Sequence, residues 1–292
     1  MELVKFGIVG KGGLIFLVMS AIIGNGNGAA VGSGRPEVRN EIETESLFRV
    51  QYKTIPMTSF LASLLSIEFI KHASHMRRQI PCSFNDLVRF AEEEKKKKEQ
   101  SRKRRRLTAG FHKKAHKFVT DILCVFDGIR TVFSELRPKK ILILCGGSAA
   151  SPREGFMLNI EYTEKGDLGG GLEYTYTDKQ CGLAVRKLVR SLFLEGARVF
   201  QSEIRPLKLF FFVYGRRVDD CSRLGGFLPK ENFKVNTKSR RSRAPFEISI
   251  SGLQSVDEEL EDEMYGEDPM ENMWYGWPRG VTGLRSPPDR KK

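Results

Sequence analysis

The stretch of sequence that most suggests chemistry is "PKKILILCGGSAASPRE", from Pro138 to Glu154. An apolar strand runs into Gly146 and Gly147, as at the start of a phosphate-binding loop. Such a loop fans backbone N–H groups around the anion and usually places a lysine just after the glycines. Here no lysine follows, and Pro152 lacks an N–H donor. The sequence therefore favours a tight turn that ends a strand and needs glycine for its dihedral angles.

A second candidate for chemistry is the pair His112 and His116, which would share one face of a helix. No third ligand follows this pair, and the neighbouring lysines would repel a cation. The sequence also lacks a GxSxG motif, an HExxH motif and a pair of catalytic carboxylates. It therefore predicts a protein that is not an enzyme and holds neither a metal nor a cofactor.

The net charge of +13 is concentrated in one tract. From Lys95 to Lys117 there are twelve Lys and Arg residues and one acid, whereas Asp257 to Asp268 holds eight acids and no base. The basic tract contains two clusters with a short spacer, which is the form of a nuclear import signal. Nucleic-acid contact and a solvated loop are the alternatives. The import candidate comprises Lys95, Lys96, Lys97, Lys98, Arg102, Lys103, Arg104, Arg105 and Arg106.

The N-terminus has the pattern of an export signal. A basic start precedes an eleven-residue apolar run from Gly13 to Ile23, followed by small residues. That run is shorter than the roughly 20 residues needed to span a bilayer. The five cysteines, an odd number without a CxxC pair, instead favour a reducing compartment. We expect residues 1–45 to form a disordered or signal-like extension.

Apolar periodicity predicts four helices and four strands. The first helix extends from Met57 to about Gln79, and the second, shorter helix begins after Ser83 as its N-cap. The third helix covers Ala115–Leu136, and the fourth covers Lys179–Gly196. The strands are "ILILC", "FMLNIEYT", "LKLFFFVYG" and "FEISISGL". This order predicts an α+β domain over residues 46–285, in which a helical layer packs on a mostly antiparallel sheet. A basic loop at about 91–117 and an acidic loop at about 255–270 would interrupt the domain, and a basic tail would follow at 286–292.

Both tryptophans of the chain lie near its C-terminal end, after the acidic tract. Large aromatic side chains rarely stay exposed in a free tail. Trp274, Tyr275 and Trp277 therefore either dock back on the domain or anchor a partner. The sequence leaves these two alternatives open.

Three blocks of the sequence, in this order, are "EFIKHASHMRRQIPCSFNDLVRF", "ILILCGGSAASPRE" and "WYGWPRGVTGLR", and "LAVRKLVRSLF" and "FLPKENFKV" lie between the last two. Together these segments resemble the p31comet family of HORMA-domain proteins. The resemblance covers roughly Met57 to Arg285 and implies a HORMA-like fold with a C-terminal tail similar to the HORMA safety belt. In that tail, the resemblance assigns Trp274, Tyr275, Trp277 and Pro278.

The resemblance also implies a function. Proteins of this family bind the closed form of the spindle-checkpoint protein Mad2 and present it to a hexameric AAA+ ATPase of the Pch2 type, which silences the checkpoint. A role on meiotic HORMA proteins is also open, and the expected location is the nucleus and cytoplasm. The alternative, from another functional class, is a basic nuclear protein that binds nucleic acid or chromatin through the tract from Lys95 to Lys117.

The resemblance assigns site residues at two places. The face for closed Mad2 would comprise Met76, Arg77, Arg186, Val189, Arg190 and Phe193. Met76 stands where the family often has glutamine, and Val189 where it often has phenylalanine. The pair Pro229 and Lys230 would contact the remodelling ATPase.

Overall fold

The computed structural model describes residues 45–97, 106–163, 174–200, 204–233, 245–253 and 272–285. These residues lie within one compact unit that spans Asn40–Lys292. The predicted N-terminal extension, apart from Glu45, lies outside the described residues. The predicted acidic loop, the basic tail and positions 98–105 of the import candidate lie outside them too.

The described chain contains all four predicted helices. They are α1 (Ser59–Met76), α2 (Phe84–Lys97), α3 (Arg106–Leu136) and α4 (Asp178–Leu194), followed by a short α5 (Ala197–Phe200) and a 3₁₀ turn at Cys221–Arg223. Thr58 caps α1, and Thr177 forms a capping box with Gln180 at the start of α4. Helix α1 ends slightly earlier than predicted, because Arg78 adopts a positive φ of 52°.

The basic loop predicted at about 91–117 needs correction, because helix occupies both of its ends. Helix α2 continues to Lys97, and α3 already begins at Arg106. Lys, Arg and Glu are good helix formers, so the lack of an apolar face does not by itself end a helix. Packing between α2 and α3 supports the extension, since the Phe90 ring lies 5.6 Å from Phe111 and stacks at 4.1 Å on His112.

The strands form one mixed sheet with mostly antiparallel pairs, as predicted. The strands are β1 (Glu45–Gln51), β2 (Lys140–Gly146), β3 (Pro152–Glu161), β4 (Lys208–Arg216), β5 (Leu228–Lys230), β6 (Phe246–Ser251), β7 (Asn272–Gly276) and β8 (Val281–Thr282). Their order in the sheet is β1-β6-β3-β2-β4-β7-β5, and β8 also pairs with β4. Among the described strands, only the β1/β6 and β3/β6 pairs are parallel.

The glycine-rich stretch is the turn between β2 and β3. These two strands pair antiparallel across it, with Gly146 opposite Pro152. A Cβ at Gly146 would lie 2.9 Å from Pro152 Cα, so the turn is too tight for a side chain at this position. The stretch therefore forms a tight turn, as the sequence favours, but Gly146 is required by the close approach of Pro152 and not by a positive φ.

Side chains alternate between the two faces of the sheet. One face meets the helices, and the Phe69 ring of α1 packs edge-on at 5.9 Å against Phe156 of β3. The opposite face carries a smaller apolar cluster of Leu142, Leu144, Met157, Phe212 and Trp274. Within the described part of the chain, no helix is both long and apolar enough to cross a membrane.

The C-terminal aromatic residues dock on the chain's own domain. Strand β7 pairs with β4, with Tyr275 opposite Val213 and Trp274 opposite Tyr214. Strand β8 continues along the same partner, with Val281 opposite Leu209. Tyr275 is fully buried, and its hydroxyl donates to the Arg216 carbonyl at 3.0 Å. Of the two alternatives that the sequence leaves open, docking back on the domain is therefore the one observed.

Candidate partner-binding site

Helices α1 and α4 lie side by side and run in the same direction. At their N-terminal ends, the Tyr176 hydroxyl donates to the Pro56 carbonyl at 2.7 Å and contacts Thr58 Oγ1 at 2.9 Å. Beyond their C-terminal ends, Arg77 Nη1 donates to the Val199 carbonyl at 2.9 Å. The end of α1 and the second half of α4, which the resemblance assigns to one face, therefore lie at the same end of the helix pair.

Helix α4 buries one side and exposes the other. Ala184, Leu188 and Leu192 form the buried side. The exposed side carries Leu183, Arg186, Arg190, Phe193 and Leu194, at spacings of three and four residues. We call this set the α4 face. Phe193 is 50% exposed and Leu194 is 67% exposed, and as neighbours they form an exposed apolar patch, which indicates an interaction site more than a single exposed residue does.

The α4 face is basic as well as apolar. From Lys179 to Leu194 the helix carries four basic residues and no acid. Arg186 and Arg190 are exposed, and Val189 is half-buried between them and the core. The structure thus brings four of the predicted residues, Arg186, Val189, Arg190 and Phe193, together on one helix. The resemblance does not assign the exposed Leu183 and Leu194, although their helical spacing from Arg190 could have indicated them.

Arg77 has a different environment from the other predicted residues. Its side chain is 3% exposed. Its Nε donates to Glu154 Oε1 at 2.7 Å, and its Nη2 contacts Glu154 Oε2. The guanidinium also lies 5.9 Å from the centre of the Phe200 ring. Arg77 therefore joins the end of α1 to β3 and α5. Its positive charge is paired with the Glu154 carboxylate inside the domain. Met76 beside it is half-buried against the core.

The Cys145 thiol lies beside the pair of Arg77 and Glu154, and burial is the main influence on its chemistry. Burial, with a further contribution from the Glu154 carboxylate, raises the pKa of Cys145 to about 12. A thiol that stays protonated at neutral pH is a poor nucleophile. Cys145 therefore acts as a small core residue, and the buried pair next to it is structural.

Gln79, just after α1, ties this end of the helix pair to the C-terminal tail. Its side chain is almost fully buried. Its Nε2 donates to the Arg77 carbonyl at 2.9 Å, and its Oε1 accepts from Leu207 N at 2.7 Å. Its own carbonyl accepts from Leu284 N at 2.7 Å. Whether the tail acts as a safety belt stays a prediction, but its C-terminal part is bonded to the loop that follows α1.

Pro229 and Lys230, assigned to the ATPase contact, lie in the edge strand β5. Both side chains are exposed, and the strand pairs with β7 so that Pro229 lies opposite Tyr275. The flanking aromatic residues hold the strand from both sides of the sheet. On the helical side Phe227 is buried and packs at 5.4 Å against Trp277, and on the other side Phe233 packs at 4.2 Å on Phe212.

The loop before β5 approaches α3 very closely. Gly225 and Gly226 have φ values of +58° and +96°, which favour glycine. A Cβ at Gly128 of α3 would lie 2.7 Å from the Trp277 ring and 2.8 Å from the Gly225 carbonyl oxygen. Pro278 follows Trp277 directly, outside β7. Trp277 of the tail and Gly225 of the loop before β5 therefore pack at the same site on α3. We call residues Gly225–Lys230 the β5 segment.

Only part of the nuclear import candidate is described. Lys95, Lys96 and Lys97 lie in the last turn of α2, and Arg106 is the first residue of α3. Lys98, Arg102, Lys103, Arg104 and Arg105 lie outside the described residues. The import signal stays a prediction.

Comparison with known proteins agrees with the resemblance. The model of the p31comet family, described as Mad1 and Cdc20-bound-Mad2 binding, matches residues 43–269. A MAD2L1-binding protein of Mus musculus is 26% identical over 177 residues, which is 60% of this chain and 60% of the mouse protein. The match thus spans less than two thirds of that relative. Because the family model matches well over half of the chain, the protein belongs to the p31comet family.

Proposed function

We propose that this protein is a non-enzymatic adaptor that binds the closed form of Mad2, or a related HORMA protein, through the α4 face. The observation that carries the proposal is the exposed row of Leu183, Phe193 and Leu194 with Arg186 and Arg190 among them. The family description of Mad2 binding supports it, and so does the name of the mouse relative.

The composition of the α4 face suits a protein partner. Aromatic and arginine side chains dominate binding energy at interfaces, and single anchors contribute about 2 kcal/mol or more when truncated. Phe193 offers such an anchor, while Arg186 and Arg190 can form charge-assisted hydrogen bonds with carboxylates. The partner surface that fits best is therefore an apolar groove with acidic residues at its rim.

A second surface supports the proposal of an adaptor. Lys187 of α4 bonds to the Gln51 carbonyl at the end of β1, so the α4 face lies on the β1 side of the sheet. Pro229 and Lys230 lie in β5, at the other end of the strand order. Six strand spacings separate β1 from β5, or about 29 Å at ~4.8 Å each. We propose that the β5 segment contacts a Pch2-type AAA+ ATPase while Mad2 occupies the α4 face.

The first experiment is a binding titration of the full chain against Mad2 locked in the closed form and Mad2 locked in the open form. We expect tight binding of the closed form and at least tenfold weaker binding of the open form. Equal binding of both forms, or binding of neither, would contradict the proposal. A meiotic HORMA protein tested in parallel would show whether the adaptor also acts on meiotic axis proteins.

One observation favours a second candidate function, the binding of nucleic acid. Lys113, Lys114 and Lys117 are exposed on α3 and continue the basic tract. Phosphate contacts release counterions, so such binding should weaken steeply as salt rises. Failure to retain duplex DNA at low salt would exclude this function, and retention that does not weaken at physiological salt would exclude phosphate contacts by the basic tract as its basis.

For the adaptor, we propose a location in the nucleus and the cytoplasm. Imaging of a tagged chain would test this location.

A further inference from the structure

Three aromatic rings form a row at the N-terminal end of the helix pair, far from Phe193. The Phe60 ring of α1 stacks on Tyr176 with 5.7 Å between ring centres. Tyr176 in turn packs edge-on against Tyr174 at 4.7 Å. Phe60 is 60% exposed, which makes it one of the most exposed large apolar side chains in the described part of the protein. We call these three residues the aromatic row.

Hydrogen bonds fix the two tyrosines of the aromatic row. The Tyr176 hydroxyl bonds to Pro56 and Thr58, and the Tyr174 hydroxyl accepts from Gln180 Nε2 at 2.9 Å. Gln180 is itself fixed by the capping box of α4. A ring held in place in the free protein loses little conformational entropy on binding. The aromatic row is therefore preorganised as a contact surface.

The aromatic row is continuous with the surface proposed for the partner. The accessible side of α1 carries side chains at spacings of three and four residues, namely Phe60, Leu64, Glu68, Lys71, His72, His75 and Met76. This stripe lies beside the α4 face, because the two helices run in parallel from Thr58 and Tyr176 to Arg77 and Val199. Both ends of the combined surface are aromatic, and its centre is polar.

We infer that the aromatic row is a second anchor for the HORMA partner, which would place an apolar side chain of its own against Phe60. This inference rests on the proposed function. From Tyr176 to Phe193 the chain advances by about 26 Å at ~1.5 Å per residue. An interface of standard size buries about 800 Å² per partner and is therefore roughly 30 Å across. One partner can thus cover both Phe193 and Phe60.

The charges around the aromatic row favour a protein partner with carboxylates over nucleic acid. Between the two aromatic ends the α4 face offers arginines, and only Glu68 interrupts the α1 stripe with a carboxylate, which bonds to Lys71 at 2.6 Å. A partner whose carboxylates meet Arg186 and Arg190 is held in register over both anchors. Nucleic acid would find no run of basic residues in the described segments that form the aromatic row, since Lys53 and Lys179 are isolated there and Lys179 stands next to Asp178.

The experiment compares Phe60→Ala with Phe193→Ala in the full chain, by titration against closed Mad2. Phe60 packs on the surface and not in the core, so the thermal melt of Phe60→Ala should stay close to that of the unmodified chain. We expect both variants to weaken binding at least tenfold. Phe60→Tyr keeps the ring and should bind within about twofold of the unmodified chain. Leu123→Ala, an exposed apolar residue of α3, is the matched control and should not change the affinity.

The outcomes separate this inference from the proposed function. If Phe193→Ala weakens binding while Phe60→Ala stays within twofold of the unmodified chain, the aromatic row is not an anchor, although the proposed function stands. If the unmodified chain does not bind closed Mad2, the proposed function and this inference fail together.

Discussion

The α4 face and the β5 segment lie at opposite ends of the sheet and are built differently. The α4 face is one side of a helix whose other side, through Leu188 and Leu192, is fixed in the core. All three residues of strand β5 are exposed. The strand is fixed by its flanking aromatic residues, since Phe227 packs on Trp277 on one face of the sheet and Phe233 packs on Phe212 on the other. A regular helix can thus present a broad surface, whereas a short edge strand needs aromatic packing on both sides.

This difference predicts that the two surfaces can be damaged separately. Substitutions on the exposed side of α4 should change partner affinity and leave stability alone. Substitutions that disturb the packing beneath β5 should change stability and the ATPase contact together. Four experiments can test this separation, and their expected effects decrease from Arg77 through Gly128 and Arg190 to the thiol of Cys145.

Arg77→Ala should have the largest effect and should act on stability. The substitution leaves the Glu154 carboxylate buried without its guanidinium partner, which typically costs about 3–5 kcal/mol. Chemical denaturation would measure the loss. Charge reversal at Arg77 is therefore unsuitable as a test of the partner face, contrary to what its assignment by resemblance implies.

The matched comparison for Arg77→Ala is the double variant Arg77→Met with Glu154→Leu. Replacing both charges by apolar groups removes the uncompensated carboxylate, so a large part of the stability should return. If Arg77→Ala unfolds no more easily than the unmodified chain, the buried pair does not hold the end of α1 in place.

Gly128→Ala should come next, with a loss of about 1–3 kcal/mol. The new methyl group would lie 2.7 Å from Trp277 and 2.8 Å from the Gly225 carbonyl, so the tail and the β5 segment must both shift. We expect weaker stimulation of the ATPase and unchanged affinity for closed Mad2. Parallel melting curves, binding titrations and remodelling rates would measure these effects.

Gly110→Ala, in the same helix, is the control for Gly128→Ala. A methyl group at Gly110 would have open space around it, with no atom of another described residue within 4 Å. Alanine has the higher helix propensity by up to about 1 kcal/mol, so Gly110→Ala should be neutral or stabilising. Equal effects of the two substitutions would show that close packing around Trp277 does not position β5.

Arg190→Glu should weaken binding of closed Mad2 about tenfold, or about 1.4 kcal/mol, without lowering the melting temperature. The residue is exposed on the α4 face, so the change would act on the carboxylates of the proposed partner without disturbing the core. Arg130→Glu on α3 carries the same charge reversal at an exposed position and should leave binding unchanged. A similar loss with both variants would indicate a general effect of net charge.

The smallest effect concerns thiol reactivity. Because burial raises the pKa of Cys145 to about 12, its thiol stays protonated at about pH 8 and should not react with a thiol reagent. Cys124 is exposed on α3 and should react first. Mass spectrometry of the labelled protein would identify the sites. Rapid labelling of Cys145 in the folded chain would show that the region around Arg77 opens easily.

The helices and the four strongest strands could be predicted because their apolar periodicity is local. The buried stripe of α3, with Phe118, Ile122, Ile129 and Phe133, is present in the sequence at helical spacing. The strands β1, β5, β7 and β8 could not be predicted in this way. They are short or lie at the sheet edge, and their pairing depends on partners far away in the chain.

In the candidate site, too, the environment of a side chain depends on segments that are distant in the sequence. The resemblance placed Arg77 and Arg190 on one face, and nothing in their local sequence distinguishes them. Glu154, which pairs with Arg77, lies 77 residues further along the chain. Solvent exposure is a property of such distant contacts, so the local sequence could not show that Arg77 is buried while Arg190 is exposed.

The α+β class, the helical layer, the turn after β2 and the charge of the two tracts can be read from the amino-acid sequence. These properties follow from local periodicity, turn chemistry and composition. Tertiary contacts are needed to show that Arg77 is internal, that Phe60 and Phe193 are exposed, and that Trp277 and the loop before β5 pack against Gly128. The physical reason is that burial and close packing arise between segments, and the sequence records each segment without its neighbours in space.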